Sequence, residues 1–351
     1  MHITRAILTQ AAERGVLSEE QSDALWDFLA TRVAETPSFK PAHILYYLGG
    51  LIAIGAMTLF ITMGWERFGG GGLFLIALCY IGITLAATEF LLRAKQLAIP
   101  AGITAALAVA LVPLAVYGAQ HMLGLWPTAE HSSWGYREYH TRIDWRWVMM
   151  ECATLIAGAI ALWRYRLPFM VMPIAVTLWY MSMDIVPFLL GGPATEFFSP
   201  QGKRISMCFG AGMTLLAFYV DVRSRASKDF PFWLYIFGVL TFWGALSSLN
   251  SSSELSKFIY CLVNLALIAV GAMLSRRIFA VCGGLGVAGY LSHLASTVFK
   301  DSMLFPVALT VIGFAVIAVG VYWQRHEHEL GVRLRAFLPA AWRELVEQRD
   351  A

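Results

Sequence analysis

Four polar side chains interrupt long apolar segments of this sequence, and their chemistry differs from that of everything around them. They are Glu151, Asp184, Asn264 and His293. An ionisable group inside an apolar segment is costly to bury, so it indicates a functional site by default. A carboxyl group in such a place is suited to exchanging a proton or binding a cation, because burial disfavours its free charged form.

Two hypotheses about these four residues stay open. In the first, they line one outward-facing polar cavity in which a proton or another ion is exchanged. In the second, each side chain hydrogen-bonds across a pair of helices or extends toward the lipid headgroups. The rotation of each helix about its own axis decides between the two, and the sequence pattern does not contain it.

The composition indicates that most of the chain lies in lipid. Of its 351 residues, 58% are hydrophobic and 14% are charged, and the mean hydropathy is +0.63. Apolar segments of about 20 residues, the length of a helix that crosses a hydrocarbon core, recur along the chain. We predict an all-α, polytopic membrane protein with about ten transmembrane helices, at about 44–64, 73–92, 98–119, 146–164, 168–190, 205–221, 231–248, 258–274, 278–298 and 303–323.

These helices place the four polar residues at similar depths. Glu151 lies about six residues from the outer end of its helix, and Asp184 lies about six residues from the outer end of the next. At 1.5 Å per residue, both are about 9 Å below the outer surface. A short turn around Arg166 joins their helices, so the two are expected to be antiparallel neighbours. Asn264 and His293 fall in the same layer.

The basic residues predict the orientation of the chain. With the N-terminus inside, 18 of the 26 Lys and Arg residues fall in inner segments and 8 in outer ones. This bias follows the positive-inside rule and predicts that both termini are cytoplasmic. Glu89 and Asp221 lie near inner helix ends, close to Arg93 and Arg223 in the sequence, and they are expected to be interface charges whose side chains extend toward the headgroups.

Three regions are expected along the chain: a cytoplasmic two-helix hairpin at 1–40, a transmembrane domain at 41–324 and a cytoplasmic amphipathic tail at 325–351. Gly15 is suited to ending the first helix of the hairpin, and Ser18 with Gln21 forms a capping box for the second. A hairpin of this size buries too little surface to be stable alone. We expect it to pack on the membrane domain or on a protein partner.

Two glycine-rich segments resemble nucleotide-binding motifs without their context. GWERFGGGG, at 64–72, lacks the Lys and the Ser or Thr that a P-loop places after its last glycine. We predict that it is an outer turn of about eight residues. GLGVAG, at 284–289, lies inside an apolar helix and not between a strand and a helix. Gly286 and Gly289 are therefore expected to be close-packing positions between helices.

The remaining reactive side chains form no recognised site. The five cysteines lie in apolar segments without a CxxC pair, which gives no support for disulfides or zinc. His131, Glu138 and His140 lie in an outer loop rich in aromatic residues, but they lack metal-ligand spacing. We therefore expect no cofactor, no metal and no catalytic residue. The scattered basic residues also predict no nucleic-acid partner.

The order of segments resembles a family of uncharacterised bacterial membrane proteins, grouped as a predicted membrane-protein domain of unknown function. The resemblance rests on ERGVLSEEQSDAL, on YYLGGLIAIGAMTLFITMGW and on the ending RLRAFLPAAWREL. Small residues followed by a Trp mark the first span of that family, and Gly49, Gly50, Gly55 and Trp65 match them. The likeness covers mainly residues 1–120 and the tail. It implies a bacterial inner-membrane location and transfers no catalytic residue.

Three functions are compatible with these features. The first is transport or permeation of a small solute or ion through an outward-facing polar cavity, favoured by the layer of four polar residues. The second is a non-catalytic membrane subunit or assembly factor that docks a partner through the N-terminal hairpin. The third is a lipid-modifying membrane enzyme, which would need clustered acid and base residues near a headgroup, and the loop at 130–144 is the only candidate for them. Membrane lipids are expected partners in each case.

Overall fold

The fold is described from a computed structural model of the chain. It describes residues 8–9, 11–12, 14–33, 41–126, 145–190, 198–223, 229–249, 253–274 and 276–298, and scattered helical positions between 306 and 321. These residues form helices joined by short connections, and no β-strand occurs among them. The helices are α1 (Glu19–Val33), α2 (Pro41–Arg93), α3 (Ala98–Ala110), α4 (Val112–Met122), α5 (Trp145–Tyr165), α6 (Val171–Leu190), α7 (Pro200–Arg223), α8 (Phe232–Ser248), α9 (Glu254–Leu274) and α10 (Arg277–His293). A 3₁₀ turn at Pro168–Met170 precedes α6, and a π-helical turn at Leu294–Val298 follows α10.

The described helices confirm a helical, multi-pass membrane protein. Seven segments are long and apolar enough to cross a membrane: Phe68–Arg93, Ala98–Met122, Trp145–Tyr165, Pro168–Pro187, Pro200–Arg223, Glu254–Leu274 and Arg277–Thr297. Shorter apolar helices cover Ile44–Ala56 and Phe232–Ser248. All of these segments coincide with predicted spans. The tenth predicted span and the tail at 325–351 lie largely or wholly outside the described residues.

The surface of these helices is apolar, as contact with lipid requires. Leu51 is 66% exposed, Ile83 is 64% exposed and Trp163 is 75% exposed. In water such side chains would be driven together, because burying apolar area is favourable. Against lipid tails, exposure carries no such penalty. The exposed apolar side chains therefore support lipid contact along the helices.

The chain divides into two compact units. The first contains Met1–Leu125 and Trp163–Met170, and the second contains Trp126–Leu162 and Val171–Ala351. Helices α2, α3 and α4 pack together in the first unit. The carboxyl pair described below lies entirely in the second unit.

In the first unit, α2 reverses direction at Gly69. Gly50 lies against Ile103, and the hydroxyl of Thr88 hydrogen-bonds to that of Thr104 over 2.9 Å. Residues 50 and 88 would be about 57 Å apart along a straight helix, so the two halves of α2 approach the same part of α3 only if the chain reverses between them. Gly69 is the non-helical residue inside α2, with φ 59° and ψ 179°.

The prediction of a turn of about eight residues at 64–72 is therefore wrong, because the observed turn is shorter. Helical backbone continues to Phe68 and resumes directly after Gly69. A positive φ with an extended ψ is accessible essentially only to glycine, so one residue makes the reversal. Gly70 stays in the helix because it packs against His121, where a Cβ would lie 2.7 Å from the His121 Cβ.

In the second unit, glycines bring α7 and α8 into close contact. Gly210 lies against Phe242, and Gly238 lies against Thr214. Along α7 the contacts run from 210 to 214, while along α8 they run from 242 to 238, so the two helices are antiparallel. Small residues allow such close approach of helices in a membrane. The core beside this contact is formed by Val171, Ala175, Met213, Ala217, Leu234, Tyr235, Val239, Phe279 and Cys282.

The capping signals of the N-terminal hairpin are confirmed where the structure describes them. Gly15 has φ 73°, its N–H donates to Ala12 O, and the Val16 N–H donates to Ala11 O. This is the Schellman pattern that ends a helix at glycine. The Ser18 N–H donates to Gln21 Oε1 and the Gln21 N–H donates to Ser18 Oγ, both over 3.1 Å, as a capping box requires.

Candidate functional site

Helices α5 and α6 carry the two buried carboxyl groups of the second unit. Glu151 lies six residues after Trp145, where α5 begins, and Asp184 lies six residues before Leu190, where α6 ends. Each is therefore about 9 Å along its helix from that end. Apolar residues surround both positions in the sequence, because the helices are built to cross lipid. The equal depth predicted for the two residues holds in the described helices.

The structure brings the carboxyl groups of Glu151 and Asp184 next to each other. Glu151 is 7% exposed and Asp184 is 8% exposed. They interact directly, side chain to side chain. Neither Oε1 nor Oε2 of Glu151 receives a hydrogen bond from an N–H or O–H of the described residues. A buried carboxyl group without a donor is unusual, since buried polar atoms are normally satisfied.

Hydroxyl groups close to the pair are engaged with backbone carbonyls. Thr154 Oγ1 donates to Met150 O over 2.7 Å, and Ser182 Oγ donates to Trp179 O over 2.6 Å. Ser206 of α7 donates to Ser182 O over 3.2 Å. The bond from Ser206 joins α7 to α6 near Asp184, whereas the other two lie within single helices. None of the three reaches the Glu151 oxygens.

Asn264 makes a separate contact between helices. Its Oδ1 accepts the indole N–H of Trp243 over 3.0 Å, and its Nδ2 donates to Tyr260 O over 2.8 Å. The side chain is fully buried, and Gly286 of α10 lies directly against it. Its polar atoms therefore link α8 to α9, which matches the second of the two hypotheses for this residue.

His293 belongs to a charged cluster at the beginning of α9 and the end of α10. Its Nε2 lies 3.1 Å from Lys257 Nζ and 3.3 Å from Glu254 Oε2. Lys257 Nζ also lies 2.7 Å from Glu254 Oε1. The Glu254 side chain is 57% exposed, so this cluster is open to its surroundings, whereas the carboxyl pair is buried. Of the four predicted site residues, Glu151 and Asp184 are the two that meet.

A second buried charged cluster was missed by the sequence prediction. Arg276 donates to Asp229 Oδ2 over 2.6 Å and to both carboxyl oxygens of Asp221, over 3.1 and 3.0 Å. Its guanidinium carbon lies 4.9 Å from the centre of the Tyr235 ring, and its side chain is 6% exposed. Burial lowers the pKa of Arg276, but the bonds and charges of Asp229 and Asp221 outweigh burial and raise it. Arg276 therefore stays charged.

The structure holds Asp221 and Glu89 in ion pairs, whereas the sequence predicted interface charges that extend toward the headgroups. Asp221 binds Arg276, which lies 55 residues further along the chain, in the connection between α9 and α10. An Arg between two apolar helices was the one sequence signal of this cluster. Glu89 binds Arg93 over 2.7 Å.

No described residues form a metal centre. Among them, no group of three or more His, Cys, Asp or Glu side chains is arranged to hold a metal ion. His131, Glu138 and His140, the candidate acid and base groups of a lipid-modifying enzyme, lie outside the described residues. The structure therefore describes the Glu151–Asp184 pair, but not the three candidate residues of the outer loop.

Comparison with protein-family models, with curated proteins and with solved structures gave no match. The resemblance to a family of bacterial membrane proteins thus stays a prediction from the sequence.

Proposed function

We propose that this chain is an inner-membrane protein that moves a small solute or ion across the bilayer, with the Glu151–Asp184 pair as its proton-exchanging site. The observation that carries the proposal is the burial of two adjacent carboxyl groups inside apolar helices, with both Glu151 oxygens lacking a donor. Intramembrane ionisable residues generally mark ion and substrate pathways.

Electrostatics gives the pair its chemistry. Two carboxylates side by side in a medium of low dielectric constant repel each other strongly, so the two groups are expected to share a proton. One group then donates a hydrogen bond to the other, and the negative charge of the pair is reduced to one. Such a proton can be released when water or a cation reaches the pair. A proton relay through a membrane needs this reversible behaviour.

The proposed orientation places the pair near the outer face. With both termini inside and ten spans, the start of α5 and the end of α6 lie on the outer side. The excess of Lys and Arg in the inner segments supports this orientation. The pair is then about 9 Å from the outer end of each helix and about 20 Å from the inner end of α5. Access from outside is therefore the shorter path.

Proton flux into liposomes tests the proposal. The purified protein is reconstituted with a pH-sensitive dye inside the vesicles, and an inward proton gradient is imposed with the membrane potential clamped. We expect the wild-type protein to dissipate the gradient faster than protein-free vesicles. Glu151→Gln and Asp184→Asn are each expected to slow this flux at least about tenfold, because each removes one member of the proton-sharing pair.

Glu89→Gln is the matched control for this experiment. It makes the same chemical change at a carboxyl group that lies at the end of α2 in ion pairs with Arg93 and Arg164. The control is expected to retain the wild-type flux. Equal flux in all four proteins, or a wild-type flux no greater than that of empty vesicles, would contradict proton exchange at the pair.

A further inference from the structure

We infer that the Glu151–Asp184 site also takes a monovalent alkali cation, which it binds in exchange for the shared proton. This inference rests on the proposed function and specifies the ion that competes with the proton. It assigns Met183 O as a further oxygen ligand, beside the carboxyl oxygens of the pair.

The available atoms are those that a hard cation prefers. Alkali and alkaline-earth cations are bound in proteins by carboxylate and carbonyl oxygens. Both oxygens of Glu151 are buried without a donor, and the neighbouring polar group is a second carboxyl. A site built to hold an anion or a neutral polar solute would need N–H or O–H donors directed at it. The buried oxygens of Glu151 therefore point to a cation.

Pro187, inside α6, frees a backbone carbonyl that is next to Asp184 in the sequence. Pro187 lies inside α6 and is buried. Proline has no N–H, so the helical hydrogen bond from residue 187 to Met183 O cannot form. Met183 immediately precedes Asp184. Membrane transporters commonly bind cations where an interrupted helix frees backbone carbonyls at a buried site.

The charged side chains on the surrounding helices do not oppose a cation at the pair. Three basic side chains on the helices around the pair have other partners: Lys203 bonds to Ser248 O, Arg146 lies over the Trp126 ring, and Arg164 pairs with Glu89. Arg204 is exposed. Asp221 and Arg223 lie at the other end of α7. Helix α8 carries no charged residue.

A monovalent ion is the one that replaces the shared proton without changing the charge of the site. The pair with one shared proton carries a single negative charge, and the pair with one alkali cation in place of that proton carries the same charge. The exchange is therefore site–H + M⁺ ⇌ site–M + H⁺, in which no bond other than the O–H bond is broken. A divalent ion would leave the site one charge more positive.

Proton release on cation addition tests this exchange. The purified full-length protein is placed in detergent in a weakly buffered solution with a pH indicator, and NaCl, LiCl, KCl or choline chloride is added. We expect Na⁺ or Li⁺ to release about one proton per bound cation, as the balanced exchange requires, and to raise the melting temperature by mass action. Choline, which is too large to enter the site, is expected to do neither.

Three variants make the assignment specific. Glu151→Gln and Asp184→Asn are expected to abolish proton release, whereas Glu89→Gln is expected to retain it. Pro187→Ala restores an N–H for Met183 O, so it is expected to weaken cation binding about tenfold, by removing one oxygen ligand, while the pair still binds its proton. Unchanged cation affinity in Pro187→Ala would overturn the role of Met183 O.

The outcomes separate this inference from the proposed function. If no alkali cation releases protons, but the wild-type protein still carries a proton flux that Glu151→Gln abolishes, cation binding is wrong and proton exchange stands. If Mg²⁺ or Ca²⁺ releases protons in place of the alkali ions, the monovalent assignment is overturned. If the pair affects neither proton flux nor proton release, both proposals fail.

Discussion

Trp243 and Asn264 join two helices of the second unit through a single hydrogen bond. The indole N–H of Trp243, on α8, donates to Asn264 Oδ1, on α9, over 3.0 Å. A third helix makes room for this bond, because Gly286 of α10 presents no side chain where the Asn264 amide lies. A Cβ on Gly286 would overlap the amide group itself. The glycine and the hydrogen bond therefore depend on each other.

Gly286→Ala is expected to destabilise the protein by about 1–3 kcal/mol, the usual cost of inserting a methyl group into a filled site. The Asn264 side chain must move, which weakens its bond to Trp243. The measurement is the free energy of unfolding by SDS in mixed micelles, followed by Trp fluorescence. Gly289→Ala, one helical turn further on, is the matched control.

The control is expected to behave oppositely. A Cβ on Gly289 would have no atom of the described residues within 4 Å, so alanine there is expected to stabilise the helix by about 0.5–1 kcal/mol. Equal effects of the two substitutions would show that the contact of Gly286 with Asn264 has no energetic role. The sequence predicted close packing at both glycines, and among the described residues the structure shows it at Gly286 and not at Gly289.

Gly69→Ala is expected to cost about 1–3 kcal/mol, because φ 59° with ψ 179° is strained for any residue with a Cβ. Gly82→Ala, in the second half of the same helix, is the control. Gly82 is exposed, and a Cβ there would meet no described atom within 4 Å. The SDS unfolding measurement should separate the two variants clearly. A neutral Gly69→Ala would mean that the chain reverses elsewhere.

Hydropathy predicted which segments are helices, since about 20 apolar residues have no other stable form in lipid. It did not predict how the chain turns at 64–72. Four consecutive glycines are compatible with a loop, but they are also compatible with a closely packed helix. The contact of Gly70 with His121 distinguishes the two structures. Single-residue reversals depend on such contacts, which a local pattern does not include.

Arg276→Gln is expected to destabilise the protein by about 3 kcal/mol. The Arg276 side chain is 6% exposed, and removing its guanidinium breaks the ion pairs with Asp221 and Asp229, a costly loss at a buried position. Arg93→Gln is the control, since Arg93 also binds a carboxylate but is 73% exposed, and exposed pairs contribute about 0–1 kcal/mol. Comparable losses of stability in the two variants, measured by SDS unfolding, would show that the Arg276 cluster is not energetically special.

Depth along a helix predicted part of the candidate site. The helices of Glu151 and Asp184 were expected to be neighbours with both residues at the same depth, but contact between the two was left open, and their side chains interact in the structure. Asn264 was placed at the same depth, but its helix is rotated so that it faces Trp243. Asp221 was expected to be an interface charge, although it binds an Arg that lies 55 residues away. Rotation and long-range pairing come from packing, which depth alone does not determine.

Infrared spectroscopy of the carboxyl groups is the most direct test of the central claim, that Glu151 and Asp184 share one exchangeable proton. Spectra of the membrane-embedded protein are recorded while the pH of the surrounding buffer is changed. We predict a carboxylic-acid C=O band in the wild-type difference spectrum that is altered by both Glu151→Gln and Asp184→Asn and unchanged by Glu89→Gln. A wild-type band that both pair variants retain unaltered, or no protonated carboxyl band at any pH, would contradict the claim.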